Sequence, residues 1–194
     1  MIPRTHNGMP AMVCVSAMQK CIRRSLERDA MCFAAELINT SKAFCTMTLN
    51  RLTVISHEDI DSVAAPWVVP FVATCVGQVP ALYAKKPDNP GAARMVVANM
   101  VRVLCAAPKS RVADHLQAAA GLSNLFEKNA PGVPDFAFDK HTREGKRLGR
   151  GLSHFRREGA LLINPDGTIV EEDEYADEAY RLWELLGSIK KGKK

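Results

Sequence analysis

The 194-residue sequence has few aromatic residues and lacks the glycine motifs of common nucleotide-binding and hydrolase families. Phe, Trp and Tyr together make up 6% of the chain, whereas Ala and Met are plentiful, which favours helix packing over a β-sandwich core. The sequence contains no G-x-x-x-x-G-K-S/T phosphate loop, no G-x-G-x-x-G dinucleotide fingerprint and no G-x-S-x-G nucleophile elbow. These absences disfavour an ATPase or a Rossmann enzyme.

The sequence also lacks a signal peptide and a long uninterrupted apolar run. The least polar stretch, residues 63–84, is broken by Pro66, Pro70 and Pro80, so we expect a buried helix and no membrane association. None of the six cysteines forms a C-x-x-C pair, and most lie on apolar helical faces. We therefore expect reduced core thiols in a cytoplasmic protein, rather than a disulfide framework or a zinc site.

Hydrophobic residues at helical spacing are the main structural signal of the chain, and they predict an all-α helical bundle with five or more helices between residues 11 and 129. Asp29, Ser41 and Ser110 are the candidate N-caps, for helices over 30–38, 42–56 and 111–128. A small β-hairpin is expected near 161–169, around a Pro-Asp-Gly turn.

The expected domain organisation has four parts. They are a flexible leader over 1–10, a helical domain over 11–130, a basic glycine-containing segment packed on it over 131–160, and a hairpin, C-terminal helix and basic tail over 161–194.

The basic segment is the most unusual part of the chain, because residues 139–158 contain seven Lys or Arg against three acidic residues. Cations beside glycines suit the close approach of a phosphate backbone. The candidate nucleic-acid contacts are Lys140, His141, Arg143, Lys146, Arg147, Arg150 and Arg156. The alternative is a structural lock, in which Asp139, His141 and Thr142 bond the backbone and the cations are solvated or pair with residues 171–174.

A weak candidate for a metal site is His57-Glu58-Asp59, followed by Asp61. Carboxylates with a histidine can hold Mg²⁺ or Mn²⁺. Adjacent helical residues point in different directions, however, so the same residues also suit an ordinary helix end. No catalytic residue and no cofactor is expected.

Several short stretches, in order along the chain, carry a family resemblance. Residues 15–25 are similar to the pattern S-A-x-x-K-S-x-R-G-S, and residues 29–37 are similar to D-A-A-L-Y-W-L-A-R-M-L. Residues 51–60 are similar to R-R-L-x-x-x-A-S-E-D-I-G, and residues 104–110 to L-A-x-A-P-K-S. Residues 141–151 are similar to K-x-L-G-H-G. Together they resemble the C-terminal region of MgsA/RarA-type AAA+ ATPases, relatives of the Werner-helicase-interacting protein. The version over 139–151 also looks like stand-alone phage-type relatives.

This resemblance implies an all-helical module related to the clamp-loader collar. In the family this region assembles tetramers and accompanies a DNA-dependent ATPase in replication-fork maintenance. The chain departs from the pattern in lacking the ATPase core and in having Asp61 where the family has glycine.

Three function classes follow from the sequence. The first is a non-catalytic module of DNA replication or recombination that binds DNA or a replication protein and forms homo-oligomers. The second is an interaction or inhibitor module without nucleic-acid contact. The third is a metal-dependent nuclease using His57, Glu58, Asp59 and His141.

Overall fold

A computed structural model of the chain describes residues 2–127 and 130–192, with side chains described up to residue 188. Helices contain 66% of the residues, so the predicted all-α class is confirmed. Within the described residues, extended pairing is limited to three isolated bridges. The chain divides into two compact units, Met1–Asn129 and Ala130–Lys194.

Unit 1 contains five long helices followed by a shorter helical stretch, which confirms the expectation of five or more helices before residue 129. The long helices are α1 (Ala11–Arg23), α2 (Glu27–Thr40), α3 (Lys42–Glu58), α4 (Val68–Lys85) and α5 (Gly91–Ala106). The short stretch begins with α6 (Val112–Gln117), passes through a π-helical turn (Ala118–Leu122) and ends with α7 (Ser123–Phe126).

The apolar core of unit 1 lies between these long helices. α2 packs on α1, α3 and α5, and α4 packs on α3 and α5. The largest fully buried side chains include Met18, Ile22, Ile38, Leu52 and Leu104. Burying a side chain of this size stabilises the fold by about 1.5–3 kcal/mol.

The helix ends agree with the sequence at one cap and differ at others. Ser41 caps α3 as predicted, because its hydroxyl accepts a hydrogen bond from the Phe44 amide at 3.3 Å. Asp29 was a wrong choice of cap, since α2 begins earlier, at Glu27, and Asp29 lies in its first turn. There its negative charge still favours the positive end of the helix dipole.

The third predicted cap, Ser110, also differs in detail from the structure. Ser110 accepts from the Val112 amide at 3.2 Å, and α6 begins one residue after the predicted start. The predicted last residue of that helix, Lys128, lies outside the described residues. α1 ends at Arg23 because Ser25 adopts a left-handed conformation with φ 57°.

Residues 2–10, the described part of the expected leader, form a closed turn on α2. The Asn7 side-chain amide donates to the Glu36 carboxylate at 2.8 Å, and the His6 amide donates to the Thr40 hydroxyl at 3.0 Å. Burial raises the pKa of Glu36, but hydrogen bonds from Thr5 and Asn7 outweigh burial and lower it overall. The leader is therefore tied to the bundle through polar contacts.

Helix α4 is the one described helix that is long and apolar enough to cross a membrane by length and composition. One face of α4 is buried among the neighbouring helices, through Val68, Val72 and Val79. Its exposed positions include the polar residues Thr74 and Gln78. α4 therefore contributes one face to the core of unit 1.

All six cysteines are free thiols in unit 1, and four of them are buried. Burial raises the pKa of Cys14 to about 11, and the Glu36 carboxylate adds to the shift. A thiol with such a high pKa is almost entirely protonated at neutral pH and therefore unreactive. Cys32 is the exposed member of the set.

The C-terminal end of α3 carries the main polar network of unit 1. The Asp59 side chain is buried, at 2% exposure, and accepts hydrogen bonds from Arg23 Nε at 2.7 Å and Gln19 Nε2 at 2.9 Å. Glu58 accepts from Arg23 at 2.8 Å and from Arg111 at 3.2 Å. The Asp59 carbonyl also accepts from the Ser110 amide at 3.1 Å, so the network joins α1, α3 and the start of α6.

We expect Asp59→Ala to lower the free energy of unfolding by about 2–3 kcal/mol, because it leaves Nε of the partly buried Arg23 without an acceptor and Glu58 as the remaining carboxylate partner. Urea denaturation followed by circular dichroism measures the change. Asp88→Ala, in the exposed turn before α5, is the control and should change stability by less than about 0.5 kcal/mol. Equal stability of the two variants would contradict the role given to Asp59.

Unit 2 consists of short helical segments, a turn and one long helix. Its elements are a 3₁₀ turn (Asp135–Ala137), α8 (Arg143–Arg147), α9 (Leu152–His154) continuing into a π-helical turn (Phe155–Gly159), and α10 (Ala176–Gly192). At the expected hairpin, Ile163 pairs with Ile169 in a single bridge around Gly167, whose φ is 86°. The end of the predicted basic tail, residues 193–194, lies outside the described residues.

Candidate nucleic-acid interface

A polar turn at Asp139 positions the start of α8. The Asp139 carboxylate accepts from the His141 amide at 2.9 Å, and the Asp139 carbonyl accepts from the Thr142 amide at 3.2 Å. Thr142 then caps α8, because its hydroxyl accepts from the Gly145 amide at 3.0 Å. The backbone of residues 139–145 is therefore held by local hydrogen bonds, as the structural-lock alternative expected for Asp139 and Thr142.

Gly145 is required by the close approach of two backbone segments. A Cβ atom at this position would lie 1.9 Å from the Asp139 carbonyl oxygen, which no real contact allows. Among residues 130–188, whose side chains the structure describes, Gly145 alone is buried. α8 then ends where Gly149 adopts φ 72°, a left-handed conformation that favours glycine.

Arg150 is one of two candidate contacts that form ion pairs within unit 2. Its guanidinium donates to both carboxylate oxygens of Asp135 at 2.7 Å and to the Phe138 carbonyl at 2.9 Å. Nη2 donates to both Asp135 oxygens and Nη1 to the Phe138 carbonyl, so both terminal nitrogens are engaged within unit 2. Arg150 therefore closes the loop between residues 135 and 150, as the structural-lock alternative expects of a paired cation, and its role as a phosphate contact stays a prediction.

Arg156 is the second candidate that the structure assigns to an ion pair. Its guanidinium donates to Glu172 at 2.8 Å and to Asp177 at 2.6 Å, and it lies 4.6 Å from the centre of the Tyr180 ring. The hydrogen bond from Arg156 holds the pKa of Glu172 below its ordinary value. This pairing with the acidic run corresponds to the lock alternative, and the role of Arg156 as a phosphate contact stays a prediction.

Lys140 and His141 lie against aromatic rings. The Lys140 ammonium is 4.6 Å from the centre of the Phe155 ring and 5.7 Å from that of Trp183. The His141 ring meets Phe155 edge to face, at 5.1 Å between ring centres. The sequence pointed to the charge of these two residues, but it did not indicate that they share a cavity with aromatic side chains.

Arg143, Lys146 and Arg147 remain as the exposed cations of α8. The spacing i, i+3, i+4 places them on one face of the helix. Among the described residues, none of the three has a carboxylate partner. We call these three residues the α8 cation face.

The aromatic residues of α10 are the functional candidates that sequence reasoning missed. Trp183 and Tyr180 pack edge to face at 5.1 Å, and Trp183 lines the same cavity as Lys140. The sequence predicted only that both lie in the C-terminal helix. Their proximity to the cations depends on tertiary packing, so no local signal identified it.

The weak metal candidates at the end of α3 are engaged by cations. Glu58 and Asp59 form ion pairs with Arg23, while His57 is exposed. Over the described part of the chain, no group of three or more metal-capable side chains comes together. The carboxylates therefore act in the network that joins α1, α3 and the start of α6.

Comparison with known proteins adds no assignment to this site, since no protein-family model and no curated protein matches the chain.

We expect Gly145→Ala to displace the turn at Asp139, because the added methyl group would overlap the Asp139 carbonyl. Overpacking of this kind costs about 1–3 kcal/mol or more. Limited trypsin digestion should cut faster after Lys146 and Arg147 in this variant.

Gly151→Ala is the matched control, since a Cβ at that position meets open space. An unchanged cleavage rate in Gly145→Ala would contradict the close approach of these two backbone segments.

Proposed function

We propose that this chain is a non-catalytic helical module that binds DNA through the α8 cation face and acts in DNA replication or recombination. The observation that carries the proposal is the exposure of Arg143, Lys146 and Arg147 on one side of a capped, glycine-terminated helix. Phosphate contacts by Lys and Arg supply most sequence-independent affinity for nucleic acids. The absence of nucleotide-binding motifs from the sequence fits a module without its own ATPase.

The resemblance to the C-terminal region of MgsA/RarA-type ATPases supports the link to replication and recombination. It also supports a replication or recombination protein as a partner, and a phage-type stand-alone form. The free thiols of unit 1 are typical of a reducing compartment and support a cytoplasmic location.

We expect the double variant Arg143→Ala/Arg147→Ala to weaken DNA binding for all sequences alike. Each phosphate contact contributes about −0.9 to the slope of log affinity against log salt on duplex DNA, so the slope should flatten by about two units. Gel shifts with single-stranded, double-stranded and forked DNA over a salt series measure this change.

Arg24→Ala/Arg28→Ala is the matched control, because it removes the same charge from exposed positions of unit 1. If both double variants lose affinity equally, binding depends on net charge and not on the α8 cation face. A chain that binds no DNA at low salt would refute the proposal and favour the interaction-module alternative.

A homo-oligomeric interaction module is the second candidate, favoured by the helical stretch over 112–126. This stretch has no buried residue, and its exposed apolar side chains are Val112, Leu116, Leu122, Leu125 and Phe126. Contiguous exposed apolar side chains of this kind mark interaction sites.

We expect the chain to self-associate, and Leu116→Ser/Leu125→Ser to shift it toward the monomer. Both leucines are about two-thirds exposed, at 65% and 64%, so their replacement removes contact surface without opening the core. Light scattering across a concentration series measures the mass. Val63→Ser, at another exposed apolar position of unit 1, should leave the mass unchanged; a monomer at every concentration would contradict self-association.

A further inference from the structure

A cavity in unit 2 combines aromatic rings with positive charge. It is lined by Lys140, His141, Phe155, Trp183, Leu186 and Gly187 and has a volume of about 450 Å³. This size lies within the roughly 300–1,000 Å³ usual for small-ligand sites. We call it the Trp183 cavity.

The indole of Trp183 is positioned by neighbouring side chains. Tyr180 meets it edge to face at 5.1 Å with the ring planes at 90°, and Arg156 lies over Tyr180 at 4.6 Å. Arg156 is itself fixed by its ion pairs with Glu172 and Asp177. The indole is nevertheless 48% exposed, so an oriented aromatic surface remains open to a ligand.

The chemistry of the cavity suits a base joined to a phosphate. Trp183 and Phe155 supply aromatic rings, and the Lys140 ammonium lies within about 6 Å of the centres of both. Since a cation–π contact at a solvent-accessible site is worth only about 0.5–1 kcal/mol, Lys140 can exchange it for a charge-assisted bond to a phosphate. A cationic ligand is disfavoured, because Lys140 already brings positive charge to the rings.

We infer that the Trp183 cavity takes an unstacked nucleobase of single-stranded nucleic acid, with Lys140 meeting the adjoining phosphate. Bases in a duplex are paired and stacked and cannot present a face to a side chain, so the cavity selects single strands. The inference rests on the proposed function, since the α8 cation face would hold the neighbouring phosphates.

The test uses Trp183 fluorescence in a Trp67→Phe background, where Trp183 is the sole tryptophan of the chain. The probes are an oligothymidylate of about eight nucleotides, within the usual footprint of a single-strand site, and an abasic strand of equal length. Stacking should quench the fluorescence, and the base-containing strand should bind about fivefold to a hundredfold more tightly than the abasic strand.

Variants at position 183 distinguish a loss of base stacking from a loss of the folded structure. Trp183→Leu should abolish the preference for the base-containing strand while keeping the affinity for the abasic strand, which shows that unit 2 is intact. Trp183→Phe should retain most of the preference. Trp67→Leu, which removes a similarly exposed tryptophan of unit 1 (56%), is the matched control and should change neither affinity.

The outcomes distinguish the two proposals. If both strands bind equally, without quenching but with a salt dependence that Arg143→Ala/Arg147→Ala flattens, the stacking inference is wrong and the proposed function stands. Tighter binding of a duplex of equal length than of the single strand would also overturn the inference. If neither single strand binds at low salt, the stacking inference fails, and the proposed function fails with it only if duplex and forked DNA do not bind either.

Discussion

The geometry of the candidate interface depends on the contact between the backbone of Asp139 and Gly145. No side chain fits between these residues, so the chain can fold back on itself only with glycine at 145. The contact fixes where α8 begins, because Thr142 then caps it through the Gly145 amide. Lys140, which precedes the contact, faces aromatic rings, whereas Arg143, Lys146 and Arg147 lie on the helix surface.

Local signals predicted the helices of unit 1 well, because burial of one helical face leaves a clear period in the sequence. The Ser41 cap followed from residue type alone. The helix ends at Ser25 and Glu27 were missed, since a left-handed serine has no sequence signature as strong as glycine. The hydroxyl of Ser25 bonds the Cys105 carbonyl at 2.8 Å, a tertiary contact that no local pattern indicates.

The sequence predicted that the candidate site is a positively charged segment, but it did not predict how the side chains of that segment are arranged in space. Seven residues were predicted to contact nucleic acid because of their charge and hydrogen-bonding capacity. Two of them, Arg150 and Arg156, form ion pairs within unit 2. Their partners, Asp135 and Glu172, are 15 and 16 residues away in sequence. The sequence shows which residues are charged, whereas the packing of the chain determines which oppositely charged residue each of them pairs with.

Unit 2 uses part of its positive charge in ion pairs of its own, through Arg150, Arg156 and Arg181. Its described side chains form no buried apolar core, so ion pairs and edge-to-face aromatic contacts help to position its segments. Three cations on one face would give a salt slope of about −2 on a single strand, which corresponds to weak binding by electrostatics alone. Useful affinity would then require a contribution that salt does not screen, which is the role we propose for the exposed indole of Trp183.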